Sequence, residues 1–237
     1  MNNEPPVVPM PWETTVVTTT DRRTRVLTDK RIFKRHDGLI VLISGAALGI
    51  VSRLGDGLPP ALVWLVNIGG PWLAVAFAMG ARGRTPRGGA IQGGITLVSA
   101  VIGYYGWMHV VEHEANLAYL RHIAAYWLAV AVAGGALFGV AGAVWRRREG
   151  WPRVGAVALL SAALAGESAL VLLRALGSPD PGQKVVMGIE LAVALGLPWA
   201  LLRERRATIH ALLLTISGTV VAAAAAAGIM IGLRTLT

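Results

Sequence analysis

The chain has 237 residues, 54% of them hydrophobic and only 15% charged, with a mean hydropathy of +0.58. A soluble domain carries roughly a quarter charged residues, so much of this surface must face something apolar, and a soluble single-core domain is excluded. The absence of cysteine excludes disulfides, thiolate metal sites and cysteine nucleophiles. The formal net charge of +9 sits in short blocks between apolar runs, a pattern of loop anchors rather than of a nucleic-acid surface.

Residues 1–37 are polar, with Pro5, Pro6, Pro9 and Pro11, then a threonine-rich stretch at 14–20 and a basic run at 22–35. No core can be built from them, and they are expected to form a largely disordered cytoplasmic tail. The basic run and the first apolar segment together read as an anchor that stays in the protein. A helix needs about 20 apolar residues to cross a hydrocarbon layer of about 30 Å. Seven segments qualify: 38–57, 60–80, 90–111, 119–145, 154–176, 184–202 and 207–233. The first ends on Arg53 and Asp56, and the fourth is long enough to tilt.

The loops test this division independently. With the N-terminus inside, 17 of the 22 Lys and Arg fall on the inner side and only Arg53, Arg121, Arg174, Lys184 and Arg234 on the outer. A missed helix would scramble that alternation. The expected fold is therefore all-α, a polytopic transmembrane bundle of about seven spans. Its N-terminus is cytoplasmic and its C-terminus outside, in a plasma membrane (bacterial inner membrane). Gly45-x-x-x-Gly49, Gly135-x-x-x-Gly139 followed by Ala143, and the alanine run at 222–227 offer small-residue faces, either to helices of this chain or to a membrane-protein partner.

Charge inside a span usually faces a cavity or a partner, which singles out Glu167 in the fifth segment and Glu190 in the sixth. At 1.5 Å per residue they lie roughly 9–13 Å from the outer ends of their helices. Asn67, Tyr104, Tyr105, Tyr126 and Trp127 reach roughly the same depth. One reading is a pocket open to the outside, in which these residues bind a small molecule or a cation. The other is an aromatic belt with scattered, locally satisfied polar groups. Arg174, seven residues after Glu167, is expected to snorkel to the outer surface.

Asn67-Ile-Gly-Gly-Pro71-Trp72 predicts a kink or break in the second span, and Leu197-Pro198-Trp199 a kink in the sixth. Interrupted helices beside polar groups recur in transporter sites, because freed backbone groups can then line a cavity. His109-x-x-x-His113 with Glu112, and with Glu114, Tyr119 and His122 nearby, is a candidate zinc or copper cluster or simply a polar cap. Its order is not that of the zincin motif. His210 lies at the opposite end of the bundle, which argues against haem. No cofactor is predicted, and no phosphate loop, nucleophile elbow or dinucleotide fingerprint is present.

The stretch Leu65-Val-Asn67-Ile-Gly-Gly-Pro-Trp72-Leu-Ala-Val-Ala76-Phe77-Ala-Met-Gly80, with the basic turn after it and Gly103-Tyr104-Tyr105, resembles a family of uncharacterised actinobacterial multi-pass membrane proteins. The resemblance covers residues 61–145 and stops short of the last three spans; it implies no activity. At the level of architecture alone the chain is similar to the substrate-binding membrane subunits of vitamin-type ABC importers, from which a seventh span departs. Three functions follow: small-solute binding or transport, a non-catalytic subunit or scaffold of a larger complex, and a metal-dependent membrane enzyme. Solute binding leads.

Overall fold

A computed structural model describes residues 35–58, 69–113, 117–174 and 181–235. The expected tail lies outside these, apart from residues 35–37, and so does Asn67. The described residues form seven α-helices and no strand: α1 (Arg35–Gly55), α2 (Gly69–Gly80), α3 (Pro86–Val110), α4 (Leu117–Arg147), α5 (Trp151–Arg174), α6 (Pro181–Leu201) and α7 (Arg205–Thr235).

Local chemistry sets several helix starts. Thr85 has an extended backbone, and its hydroxyl accepts the Gly88 N–H at 3.0 Å, so α3 begins at Pro86, where the missing N–H costs nothing. Pro181 opens α6 in the same way, and Gly150, at φ +67°, makes the turn into α5. Pro71 is the third residue of α2, inside the first turn, so the Gly-Gly-Pro motif begins a helix in the described residues. Pro198 sits in the last turn of α6, which ends three residues later.

Polar contacts collect the arginine-rich ends at one end of the bundle. Arg82 donates to Asp37 at 3.3 Å, and Arg147 to the Gly83 carbonyl at 3.0 Å. Arg153 and Trp145 both donate to the Leu201 carbonyl, at 3.1 and 3.2 Å, and Trp151 stacks on His210 with ring centroids 4.9 Å apart. Consecutive helices therefore reverse direction.

Packing has two styles. α3 lies between α1, α2 and α4, and these helices meet backbone to backbone. A Cβ on Gly93 would lie 2.7 Å from the Gly139 Cα, and one on Gly49 2.8 Å from the Tyr104 nitrogen. The small-residue faces of Gly45/Gly49 and Gly135/Gly139 are thus occupied by helices of this same chain. Around α5 the contacts are made by side chains instead, with Val154, Val157 and Ala158 against Leu202 and Ala211, and Leu164 and Ala165 against Ala194.

Beside its apolar core the protein buries several polar side chains and exposes many large apolar ones. Buried residues include Gln92, Thr96, Ser99, Ser161, Ser168, Glu190, Thr208 and Thr215, while Leu39, Ile43, Ile102, Val185, Leu213 and Val221 are exposed. Water would select the reverse. Four helical segments among the described residues are long and apolar enough to cross a bilayer: Asp37–Gly55, Arg121–Arg147, Trp151–Leu172 and Pro181–Leu201. α2 is a shorter apolar helix, and α3 buries Gln92, Thr96 and Ser99 among its neighbours.

Candidate functional site

The first turn of any helix presents N–H groups with no intrahelical acceptor. At the start of α2 these come from Gly69 and Gly70, and the acceptor is not local. Glu167, in the middle of α5, accepts the Gly69 N–H on one oxygen at 2.6 Å and the Gly70 N–H on the other at 2.9 Å. A carboxylate spanning two successive amides at the positive end of a helix dipole is a strong, directional contact. Space is tight at Gly70, where a Cβ would lie 2.4 Å from the Leu164 side chain, and ordinary at Gly69. A Cβ on Gly69 would lie 3.4 Å from a Glu167 oxygen.

Glu190 comes to the same place from α6. It is 3% exposed. One of its oxygens accepts the Ser168 hydroxyl at 3.0 Å, and the other, Oε1, is buried without a hydrogen-bond partner. A Cβ on Gly70 would lie 3.1 Å from that free oxygen and 3.8 Å from Glu167 Oε2, so the two carboxyl groups flank the same glycine. Three helices therefore converge on Gly69-Gly70, bringing two acids to it.

Gly69 is also part of the wall of a half-open cavity of about 350 Å³ lined by α2, α3 and α4. Trp72, Tyr104, Tyr105 and Trp127 supply its aromatic surface, with Leu97 and Val101 below. Two of the rings are held in place by hydrogen bonds to the end of α1. Trp72 Nε1–H donates to Ser52 Oγ at 3.1 Å, and the Tyr104 hydroxyl donates to Asp56. Tyr105 meets Tyr104 edge to face, at 5.0 Å between centroids. Asp56 in turn takes Arg53 at 3.0 Å, and Arg53 grips both oxygens of Glu112, so α1 and α3 are tied together beside the cavity.

The structure thus joins Glu167 with Glu190, and Tyr104 with Tyr105, and links the two pairs through Gly69. Tyr126 is 63% exposed, meets Trp127 edge to face and is not among the cavity residues. Asn67, Glu114 and the side chains of Tyr119 and Arg174 fall outside the described residues. Of the candidate metal ligands His109, Glu112 and His113, Glu112 is engaged by Arg53, and His113 lies beyond the end of α3 at φ 54°. No group of three or more His, Asp or Glu close enough to hold a metal occurs among the described residues. Sequence reasoning missed Ser52, Asp56 and Ser168 as participants. Asp56 carried a usable signal, since an acid beside Arg53 at the end of an apolar segment calls for a partner.

The match to a family model runs over residues 34–234. The chain belongs to DUF6518, a family of unknown function. Membership extends well past residues 61–145 and takes in the last three helices, so both glutamates of the DUF6518 chain lie inside it. No curated protein and no solved structure matches the chain.

Proposed function

We propose that this DUF6518 protein is a seven-span membrane protein, N-terminus inside, that binds a small organic solute in the cavity between α2, α3 and α4. The arginine-rich end supports the orientation, since basic loops are retained on the cytoplasmic side. The observation that carries the binding reading is the preformed aromatic cavity. Its 350 Å³ falls within the range of about 300–1,000 Å³ of small-molecule sites. Apolar walls with a few fixed polar groups are the usual composition of such sites. Trp72 and Tyr104 have their polar atoms hydrogen-bonded to Ser52 and Asp56, so what they offer the cavity is apolar ring surface. The occupant is then a molecule with an apolar or aromatic body. Its polar end would reach Gly69 and the acids behind it.

The test is extraction. Full-length protein in lipid nanodiscs, examined by native mass spectrometry, is expected to carry a small molecule that Gly134→Phe loses. Gly134 lines the cavity and a Cβ there meets only Leu73, at 3.8 Å, so the larger ring fills the space without disturbing backbone. Equal occupancy in both proteins would sink the reading.

A further inference from the structure

We propose that Glu190 and Glu167 form a proton-binding site, in which Glu190 Oε1 carries a proton and donates it in a hydrogen bond to Glu167, and that this proton is linked to the state of the cavity wall. Two ionised carboxyl groups beside the same glycine within an apolar bundle repel each other and call for one positive charge between them. Among the described residues with placed side chains the surroundings contain none. α5 offers Glu167 and the Ser168 hydroxyl to Glu190, and α2 offers only the backbone of Gly70. The described ionisable groups of α7 with placed side chains, Arg205, Arg206 and His210, sit at the far end, where His210 stacks on Trp151. On α6 itself Lys184 lies six residues away and is exposed.

The free valence is specific. Glu167 has already committed one oxygen to each glycine amide, and Glu190 Oε2 has the Ser168 hydroxyl. Glu190 Oε1 alone is buried with nothing to bond. A proton on that atom converts an orphaned acceptor into a donor aimed at the neighbouring acid. A metal ion fits poorly. Hard cations need six or more oxygens, and the backbone groups that α2 turns toward this point are N–H donors, which repel cations. Ionisation of Glu190 would set two charges against each other across Gly70 and pull Glu167 off the helix start. Gly69 and Trp72 belong to that start and to the cavity wall, so the proton and the cavity share one movable element. What the linkage serves rests on the solute reading; the proton and the movement of the wall do not.

The experiment uses the full chain in nanodiscs. Infrared spectroscopy of the wild type at neutral pH should show the carbonyl stretch of a protonated carboxylic acid, which Glu190→Gln removes. Wild-type tryptophan fluorescence should shift with pH at the midpoint of that band. The shift should be lost in Glu190→Gln and in Trp72→Phe. No such band in the wild type, a band that survives Glu190→Gln, or a fluorescence titration unchanged by Glu190→Gln would each overturn the proposal. A protein with no extracted solute but an intact band and shift would fault the solute reading alone.

Discussion

The two sides of the bundle are glued differently. Around α3 the helices touch through glycine. Gly45, Gly49 and Gly103 bring α1 against α3, and Gly89, Gly93, Gly135 and Gly139 bring α4 against it, with main-chain atoms as neighbours. Around α5 three glycines do nothing of the kind, and a Cβ on Gly218 would meet a side chain, the Ala162 Cβ, at 3.2 Å. A Cβ on Gly155, Gly188 or Gly196 would meet no atom within 4 Å, and the burial is done by valine, leucine and hydroxyl groups that mostly bond back to their own helix, as Thr215 does to Ala211 at 2.8 Å. In lipid the helix–helix attraction comes from close packing rather than from expulsion of water. The first side is therefore rigid by contact, and the second is held more loosely. The acid pair lies where they join, reaching from α5 and α6 to the start of α2.

The strongest way to break this contrast is to thicken the glycine seam. Gly93→Leu has no flexible neighbour to displace, only the backbone of Gly135 and Gly139. Overpacking usually costs about 1–3 kcal/mol, and with main chain on both sides a cost of at least about 3 kcal/mol is expected. The readout is loss of monodisperse protein after extraction. Gly94→Leu is the matched control, because its Cβ points into open space and the variant should purify normally. Equal behaviour of the two would show that the seam is not what holds α3 and α4 together.

The sequence and the structure part company at long range rather than within elements. Apolar length and arginine spacing are local properties, and they are enough to mark seven helical segments, because a run such as 119–145 has no other way to satisfy its backbone in an apolar setting. Equal depth of Glu167 and Glu190 follows from counting residues to the helix ends. What Glu167 does with its oxygens cannot be counted, since its partners are 97 and 98 residues away and are backbone groups that every residue possesses. The pairing of Arg53 with Glu112, 59 residues apart, is hidden for the same reason. Glu112 stands among histidines that invite a metal reading, whereas a nearby cation takes it first. The cavity is harder still. It is the space left between Trp72, Tyr105 and Trp127, and space has no residue letter.

At the join itself the expected effect is intermediate. Glu167→Ala leaves the Gly69 and Gly70 N–H groups without their acceptor. A buried donor so abandoned costs about 1–3 kcal/mol, and because the site is only partly buried the sum for both is expected near 2 kcal/mol. Reversible unfolding in mixed micelles measures it. Glu167→Gln keeps one acceptor oxygen and should lose about half as much. A wild-type midpoint in Glu167→Ala would mean that α2 starts where it does without help from α5, and the two sides would be independent.

The smallest effect runs the other way and is the sharper diagnostic for it. Gly196 lies in α6, exposed, with nothing near its would-be Cβ. Glycine inside a helix is less favourable than alanine by up to about 1 kcal/mol, so Gly196→Ala should stabilise the protein by about 0.5 kcal/mol. The neighbours of Gly196 on α6, Val193, Leu195 and Trp199, are exposed as well, so this face is expected to meet lipid, which accommodates a methyl group without cost. A loss of stability on adding that methyl would require a closely packed neighbour against α6. The neighbour would have to lie outside the described residues, because none of them comes within reach of this position.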